Sequence, residues 1–261
     1  MKALALGLAL AAGITLPLAP ASAETIKVGV TPGPHAQILE KVKEIAAPKG
    51  LDIKVLEFSD YVVPNAALAS GELQANSFQH KPYLDNQIAD RGYKIVPVAL
   101  TVNFPIGVYS KKYKSFEEIP AGSSIGIPND PTNGGRVLLL LADKGLIKLK
   151  DGVGVKASVV DVVENPKKLK FVEIDAAQLP RSLPDLAAAG INTNYAKEAG
   201  LDPVKDPILR EDPKGPYVNV IAVRAEDKDK PWVKALVETY NSPEVKAFVL
   251  ETFKGAVLPG W

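Results

Sequence analysis

The chain of 261 residues has no cysteine, one methionine and only two histidines, His35 and His80. Without cysteine there is no disulfide, thiolate metal site, iron–sulfur ligation, cysteine nucleophile or lipid attachment at cysteine. Two histidines are too few for a multi-histidine metal cage, and no metal or other cofactor is expected. An excess of one charge is also lacking, since 31 Lys and Arg face 30 Asp and Glu. That balance gives no electrostatic reason to expect nucleic acid or an anionic membrane surface as a partner. No P-loop, H-E-x-x-H or dinucleotide fingerprint is present. What remains is a globular composition, 46% hydrophobic and 23% charged, with length enough for a substantial core.

Long apolar runs are missing except at the start. Met1-Lys2 is followed by the uncharged stretch Ala3 to Leu16, then by Pro17, Pro20 and the small-x-small pattern Ala21-Ser22-Ala23. The run falls short of the roughly 20 residues a spanning helix needs. Charge, length and cleavage pattern together predict a secretory signal peptide over residues 1–23, cut after Ala23. The mature chain is then exported and carries no net charge, because only Lys2 is lost among the charged residues.

Alternation over Thr25 to Val30 predicts a strand, and the apolar face of His35 to Ala47 a helix ended by Pro48 and Gly50. Strand, helix and extended segments repeat to Val102, the pattern of a mostly parallel sheet covered by helices. A second set begins near Phe104. Ser115-Phe116-Glu117-Glu118 reads as a capping box. Strands are predicted over Ser124–Pro128, Leu169–Ile174 and Leu186–Ile191, and helices from Asp130 to Leu141, Ala176 to Leu183 and Asn194 to Ala199. Tyr217 to Val223 is a strand, and Pro231–Tyr240 and Pro243–Phe253 are helices. Ser242 with Pro243 is a strong start signal for the second of these. A single doubly wound sheet would show a glycine-rich phosphate turn after its first strand. Thr31-Pro32-Gly33-Pro34 stands there instead, and two prolines remove the N–H donors such a turn presents. Two α/β lobes are expected.

Gly122-Ser123-Ser124-Ile125-Gly126 matches G-x-S-x-G by chance. A loop precedes it, a strand follows, and both histidines lie upstream, whereas the nucleophile elbow needs strand, helix and a later histidine. Three other stretches combine polar forks and aromatics at element ends. Asn76 to Leu84 carries Phe78, His80 and Tyr83 at a strand-to-helix junction, where they either wall a pocket or serve as core and cap. Asn129 to Arg136 opens a helix whose free N–H groups suit an anion. Gly134 and Gly135 there indicate either close backbone approach or a frayed turn. Arg136 suits a bidentate fork to a carboxylate or a surface ion pair. Asn192 and Asn219 lie near strand ends, and each can donate and accept.

The stretches N-S-F-Q-H-K-P-Y-L from Asn76, N-D-P-T-N-G-G-R from Asn129, E-N-P-K-K-L-K-F-V-E-I-D-A-A-Q-L-P-R-S-L from Glu164, I-N-T-N-Y-A from Ile191 and P-Y-V-N-V-I from Pro216 resemble the NlpA/MetQ family of methionine-binding proteins. The resemblance runs over nearly the whole mature chain. It implies a two-lobe type II periplasmic-binding-protein fold of the α/β class, with the ligand in the interlobe cleft. Lobe 1 would be residues 24–103 plus 217–261, and lobe 2 residues 104–216. It implies capture of an amino acid by lobe closure for an ABC importer, L-methionine first. D-methionine, a methionine-containing dipeptide or another apolar amino acid are alternatives, as is an exported enzyme on the same fold. Carried onto this chain, the family pattern makes Arg136 the carboxylate clamp, and Asn192 and Asn219 the head-group contacts supported by Asn133. Tyr61, Phe78, His80 and Tyr83 would surround the side chain. The implied partners are the inner-membrane permease and its ATPase, and the protein is expected to be a monomer. Many family members carry a lipidated cysteine at the cleavage site. Ala23-Glu24 stands there, so a freely diffusing periplasmic protein without a lipid anchor is expected.

Overall fold

A computed structural model describes residues 24–261, so the signal-peptide reading of residues 1–23 lies outside the described residues. The first strand, β1 (Glu24–Val30), alternates as the sequence suggests, and Ile26, Val28 and Val30 are buried. It is followed by α1 (Pro34–Ala46), β2 (Leu51–Glu57), α2 (Val63–Ser70), β3 (Ala75–His80), α3 (Lys81–Arg91) and β4 (Ile95–Asn103). The next set comprises β5 (Gly107–Tyr109), β6 (Ser124–Pro128), α4 (Pro131–Asp143), the hairpin β7 (Lys148–Leu149) and β8 (Val162–Glu164), and β9 (Lys170–Ile174). Then come α5 (Leu179–Ser182), β10 (Ala188–Ile191), α6 (Thr193–Glu198) and β11 (Leu209–Arg210). The chain ends with β12 (Val218–Arg224), α7 (Pro231–Tyr240), α8 (Pro243–Phe253) and β13 (Leu258–Pro259).

These strands form two main sheets, ordered β13-β4-β12-β3-β1-β2 and β11-β5-β10-β6-β9. Each is covered on both faces, which is why central strands such as β3 and β10 are buried along their whole length. On one face of the first sheet, Ile38, Leu39 and Val42 of α1 meet Trp232, Leu236, Val245 and Val249 of α7 and α8. The other face carries Leu68, Leu73 and Leu84 around α2 and α3. In the second sheet Val137, Leu138 and Leu141 of α4 fill one side, and Leu179, Leu183 and Tyr195 the other. The chain leaves the first sheet after β4 through Phe104 and returns to it in β12.

The sequence pattern suggested a mostly parallel first sheet, and the sheet is mixed. β1 pairs in parallel with β2 and β3, whereas β12 runs antiparallel to both β3 and β4, and β13 antiparallel to β4. The reason is topological: β12 re-enters from the second sheet and is slotted between strands already laid down. Ser115 to Glu118 opens no helix; it is a turn in which Ile119 N–H bonds Phe116 C=O. The helix expected over Ala176 to Leu183 shrinks to α5 and a 3-10 turn over Leu183–Asp185. Pro180 and Pro184 remove N–H donors that a longer helix would use.

Candidate functional site

His80 ends β3 and caps α3. Its Nδ1 accepts the Tyr83 N–H at 3.1 Å, so the ring proton must sit on Nε2, which donates to Asn133 Oδ1 at 3.1 Å. Both readings of this residue hold together: the cap fixes the tautomer, and the tautomer fixes the bond across to α4. Burial, with the nearby Arg136 charge, pushes its pKa down to about 3, so the ring is neutral. Asp130 is the N-cap of α4, accepting the Asn133 N–H at 2.9 Å, and both its oxygens take the Asn133 Nδ2–H at 3.0 Å. Burial raises the pKa of Asp130 despite those bonds. Asn133 Oδ1 also accepts from Asn192 Nδ2 at 2.9 Å. One amide thus ties together β3, α4 and the residue at the head of α6.

Gly134 and Gly135 are there for close backbone approach. A Cβ on Gly134 would stand 2.6 Å from Pro128 O, and one on Gly135 2.4 Å from Ala157 O. The approach is of protein backbone rather than ligand, and it seats α4 hard against its lobe. Arg136 follows one residue later and is buried. Its Nε donates to Glu211 Oε1 at 2.8 Å and its Nη2 to Glu211 Oε2, while Nη2 also donates to Phe104 O at 2.8 Å. The Tyr217 ring lies beneath it, with the centroid 4.2 Å from Cζ. The bidentate fork expected for a bound carboxylate is therefore already occupied by Glu211. Among the described residues, Nη1 finds no hydrogen-bond partner.

All eight candidate residues border one cavity, with about 350 Å3 of space between its wall atoms, open solvent included. Phe78, His80, Tyr83 and Asn219 come from β3, α3 and β12 and Tyr61 from the β2–α2 connection, while Asn133 and Arg136 come from α4 and Asn192 from the β10–α6 junction. The aromatic rings touch edge to face, Tyr61 with Tyr83 at 6.1 Å and Phe78 with Tyr83 at 6.2 Å between centroids. Asn219 Nδ2 makes one long bond, 3.4 Å, to Tyr217 O. Asn192 Oδ1 is buried with no partner, and so is Asn194 Nδ2. The cavity thus holds one unpaired cationic nitrogen, an unpaired amide acceptor and an aromatic wall.

His35, Phe104, Gln79, Thr193 and Asn194 also line the cavity and were not among the sequence candidates. His35 stacks on Phe104 at 4.4 Å, and burial drives its pKa down to about 3. Asn194 lay in a quoted stretch, where its Oδ1 accepts the Tyr61 hydroxyl at 2.6 Å across the cleft. Glu211 carried no local signal, because its role exists only once the second crossing segment lies beside α4. Among the described residues, no group of acidic and histidine side chains is arranged to hold a metal ion, and no helix is long and apolar enough to cross a membrane.

The profile of the family described as NlpA lipoprotein matches residues 26–261. The chain is 54% identical over 239 residues to the D-methionine-binding lipoprotein MetQ of Escherichia coli K12, covering 90% of this chain and 88% of that one. A nutrient-binding protein of Burkholderia cenocepacia bound to methionine superposes with a TM-score of 0.88 at 56% identity, over 90% of this chain and 100% of that one. An ABC-transporter periplasmic substrate-binding protein of Coxiella burnetii superposes at 0.87 with 47% identity, over 90% and 100%. The two-lobe periplasmic-binding-protein fold expected from the sequence is therefore the fold observed. The relatives are named as binding proteins. The family and its Escherichia coli member are also named as lipoproteins, which overturns the expectation of a free protein with no lipid anchor and points to a lipid-anchored one. The sequence fact behind that expectation stands beside it: the 261 residues contain no cysteine. With a profile match across almost every described residue, the chain belongs to the NlpA lipoprotein family.

Proposed function

We propose that this protein captures methionine between its two lobes and delivers it to an ABC importer. One observation carries the reading: Arg136 Nη1 and Asn192 Oδ1, a donor with positive charge and a bare acceptor, share one aromatic-walled cavity. A carboxylate satisfies the first and an ammonium the second. A thioether packs against the rings of Tyr61, Phe78 and Tyr83, at about 0.3–1.5 kcal/mol per contact. The cavity's two histidines are held neutral by burial, which suits a holder of ligand rather than an acid–base catalyst. Binding without turnover is the reading.

The lobes are residues 24–103 with 217–261, and residues 104–216. The two separate sheets support that division. Closure rotates one lobe on the other about the two crossing segments and desolvates the head group. Bonds across the cleft hold the closed form: Tyr61 to Asn194, His80 to Asn133, and the Tyr195 hydroxyl to Ser59 O at 3.1 Å. A monomer then presents the closed pair of lobes to the permease and its ATPase.

The test is calorimetry on protein stripped of ligand by unfolding and refolding, titrated with L-methionine, D-methionine and a methionine-containing dipeptide. Methionine binding is expected, and Arg136→Ala weakens it by about 2–5 kcal/mol, roughly 30-fold to several thousand-fold. Heat from none of the three ligands, or unchanged affinity in Arg136→Ala, overturns the reading.

A further inference from the structure

Arg136 enters the cavity with two of its three guanidinium nitrogens already engaged. Glu211 takes the Nε and Nη2 edge with both carboxylate oxygens, and Phe104 O takes the remaining hydrogen of Nη2. A guanidinium has five donors in a rigid plane, so holding one edge fixes where the other points. The free group, Nη1, is the one left for a ligand. Glu211 is itself held at both crossing segments. Its N–H donates to Ile106 O at 3.0 Å, and its carboxylate accepts the Ile106 N–H at 3.3 Å. Phe104 and Ile106 belong to the segment leaving the first lobe, and Glu211 to the one returning. The Tyr217 ring closes the open face of the guanidinium.

We propose that Glu211 is a positioning residue for ligand binding: it clamps the Nε/Nη2 edge of Arg136 so that Nη1 alone meets the ligand carboxylate, and it ties that contact to both hinge segments. This rests on the reading of the cavity as a site for an amino-acid carboxylate. The pair also sets the charge of the site. Arg136 and Glu211 cancel, so a zwitterion of no net charge enters without leaving a buried charge unmatched, whereas a purely anionic ligand does not. The ligand carboxylate joins the guanidinium beside Glu211; it does not replace it.

Three proteins test this: wild type, Glu211→Gln and Glu211→Ala. Each is titrated with L-methionine in a calorimeter, melted in a scanning calorimeter, and examined by NMR at the Arg136 Nε–H. In the wild type the Nε–H resonance is expected to be protected from exchange and shifted downfield, and to stay so when methionine saturates the site. Both variants lose that signature and bind methionine at least tenfold more weakly. Glu211→Gln keeps the shape of the side chain, so it carries the test if Glu211→Ala folds poorly. A fall in melting temperature with unchanged affinity overturns the proposal in favour of a structural ion pair. Tighter binding by Glu211→Gln, or loss of the wild-type Nε–H signature on saturation, also overturns it, because Glu211 is then a competitor displaced by the ligand. If the wild type binds no methionine, the functional reading beneath has failed, and the Glu211 role goes with it.

Discussion

His80 shows how one side chain comes to serve both the fold and the site. A neutral imidazole has one donor and one acceptor, and here both are used, the acceptor on the Tyr83 N–H and the donor on Asn133. Protonation would place a second donor against the Tyr83 N–H and a charge beside Arg136. His35 is buried as deeply, against Phe104. For each ring the folded pKa, about 3, lies below the unfolded value of 6.5. The unfolded chain therefore binds more protons between those values, and stability falls as pH drops from about 6.5 towards 3. Above that window the histidine contribution is complete. Urea unfolding at pH 7 and pH 5 is expected to differ by up to about 2 kcal/mol per histidine. His35→Gln, whatever its own stability, should roughly halve that difference. A difference unaltered in the variant would mean that carboxylates, not these rings, set the acid limit. These roles were half legible in the sequence: the strand-to-helix junction at His80 suggested a cap or a pocket wall, and only the tertiary structure makes it both.

At the scale of the element, α4 decides where the site's polar groups stand. Asp130 starts the helix and orients Asn133, and the two glycines let its first turn press against Pro128 and Ala157. Gly→Ala inside a helix ordinarily stabilises by about 1 kcal/mol. At Gly135 the sign is expected to reverse. The new methyl would meet the carbonyl of Ala157 at 2.4 Å, and overpacking against backbone costs about 1–3 kcal/mol. Chemical denaturation of Gly135→Ala should show net destabilisation together with weaker methionine binding, since Asn133 and Arg136 ride on the same turn. A stabilised variant would show that Ala157 yields easily. The glycines were visible as anomalies in a helical pattern, but their partners were not. Pro128 is near in sequence, whereas Ala157 arrives from beyond the end of the helix.

Across the whole molecule, two lobes, each with a core on either face of its sheet, meet at a seam lined by polar and aromatic side chains. The cavity sits on that seam, so ligand and lobe–lobe contacts stabilise the same closed arrangement. Ligand at 100 times its dissociation constant adds about 2.7 kcal/mol of stability, a rise in melting temperature of roughly 5–10 °C for a chain of this size. Arg136→Ala should remove that rise, and it should also lower the ligand-free melt, because Glu211 is left without its buried partner. Tyr61→Phe deletes the hydroxyl that bonds Asn194 across the cleft. It is expected to weaken methionine about fivefold, the worth of about 1 kcal/mol, with little change in the melting of the free protein. A variant with full affinity would remove that bond from the closing contacts.

The sequence by itself determined the two α/β sets and the caps at Asp130 and Ser242, and its family resemblance pointed to eight residues that border one cavity. Those features are local: periodicity, capping chemistry and turn residues act within a few positions of the chain, and the family resemblance grouped the rest. Only the tertiary structure decided that β12 slots antiparallel between β3 and β4, and that the fork of Arg136 is already taken by Glu211. The physical reason is separation along the chain. Arg136 and Glu211 stand 75 residues apart, and no propensity or spacing rule reaches between them until two crossing segments fold side by side.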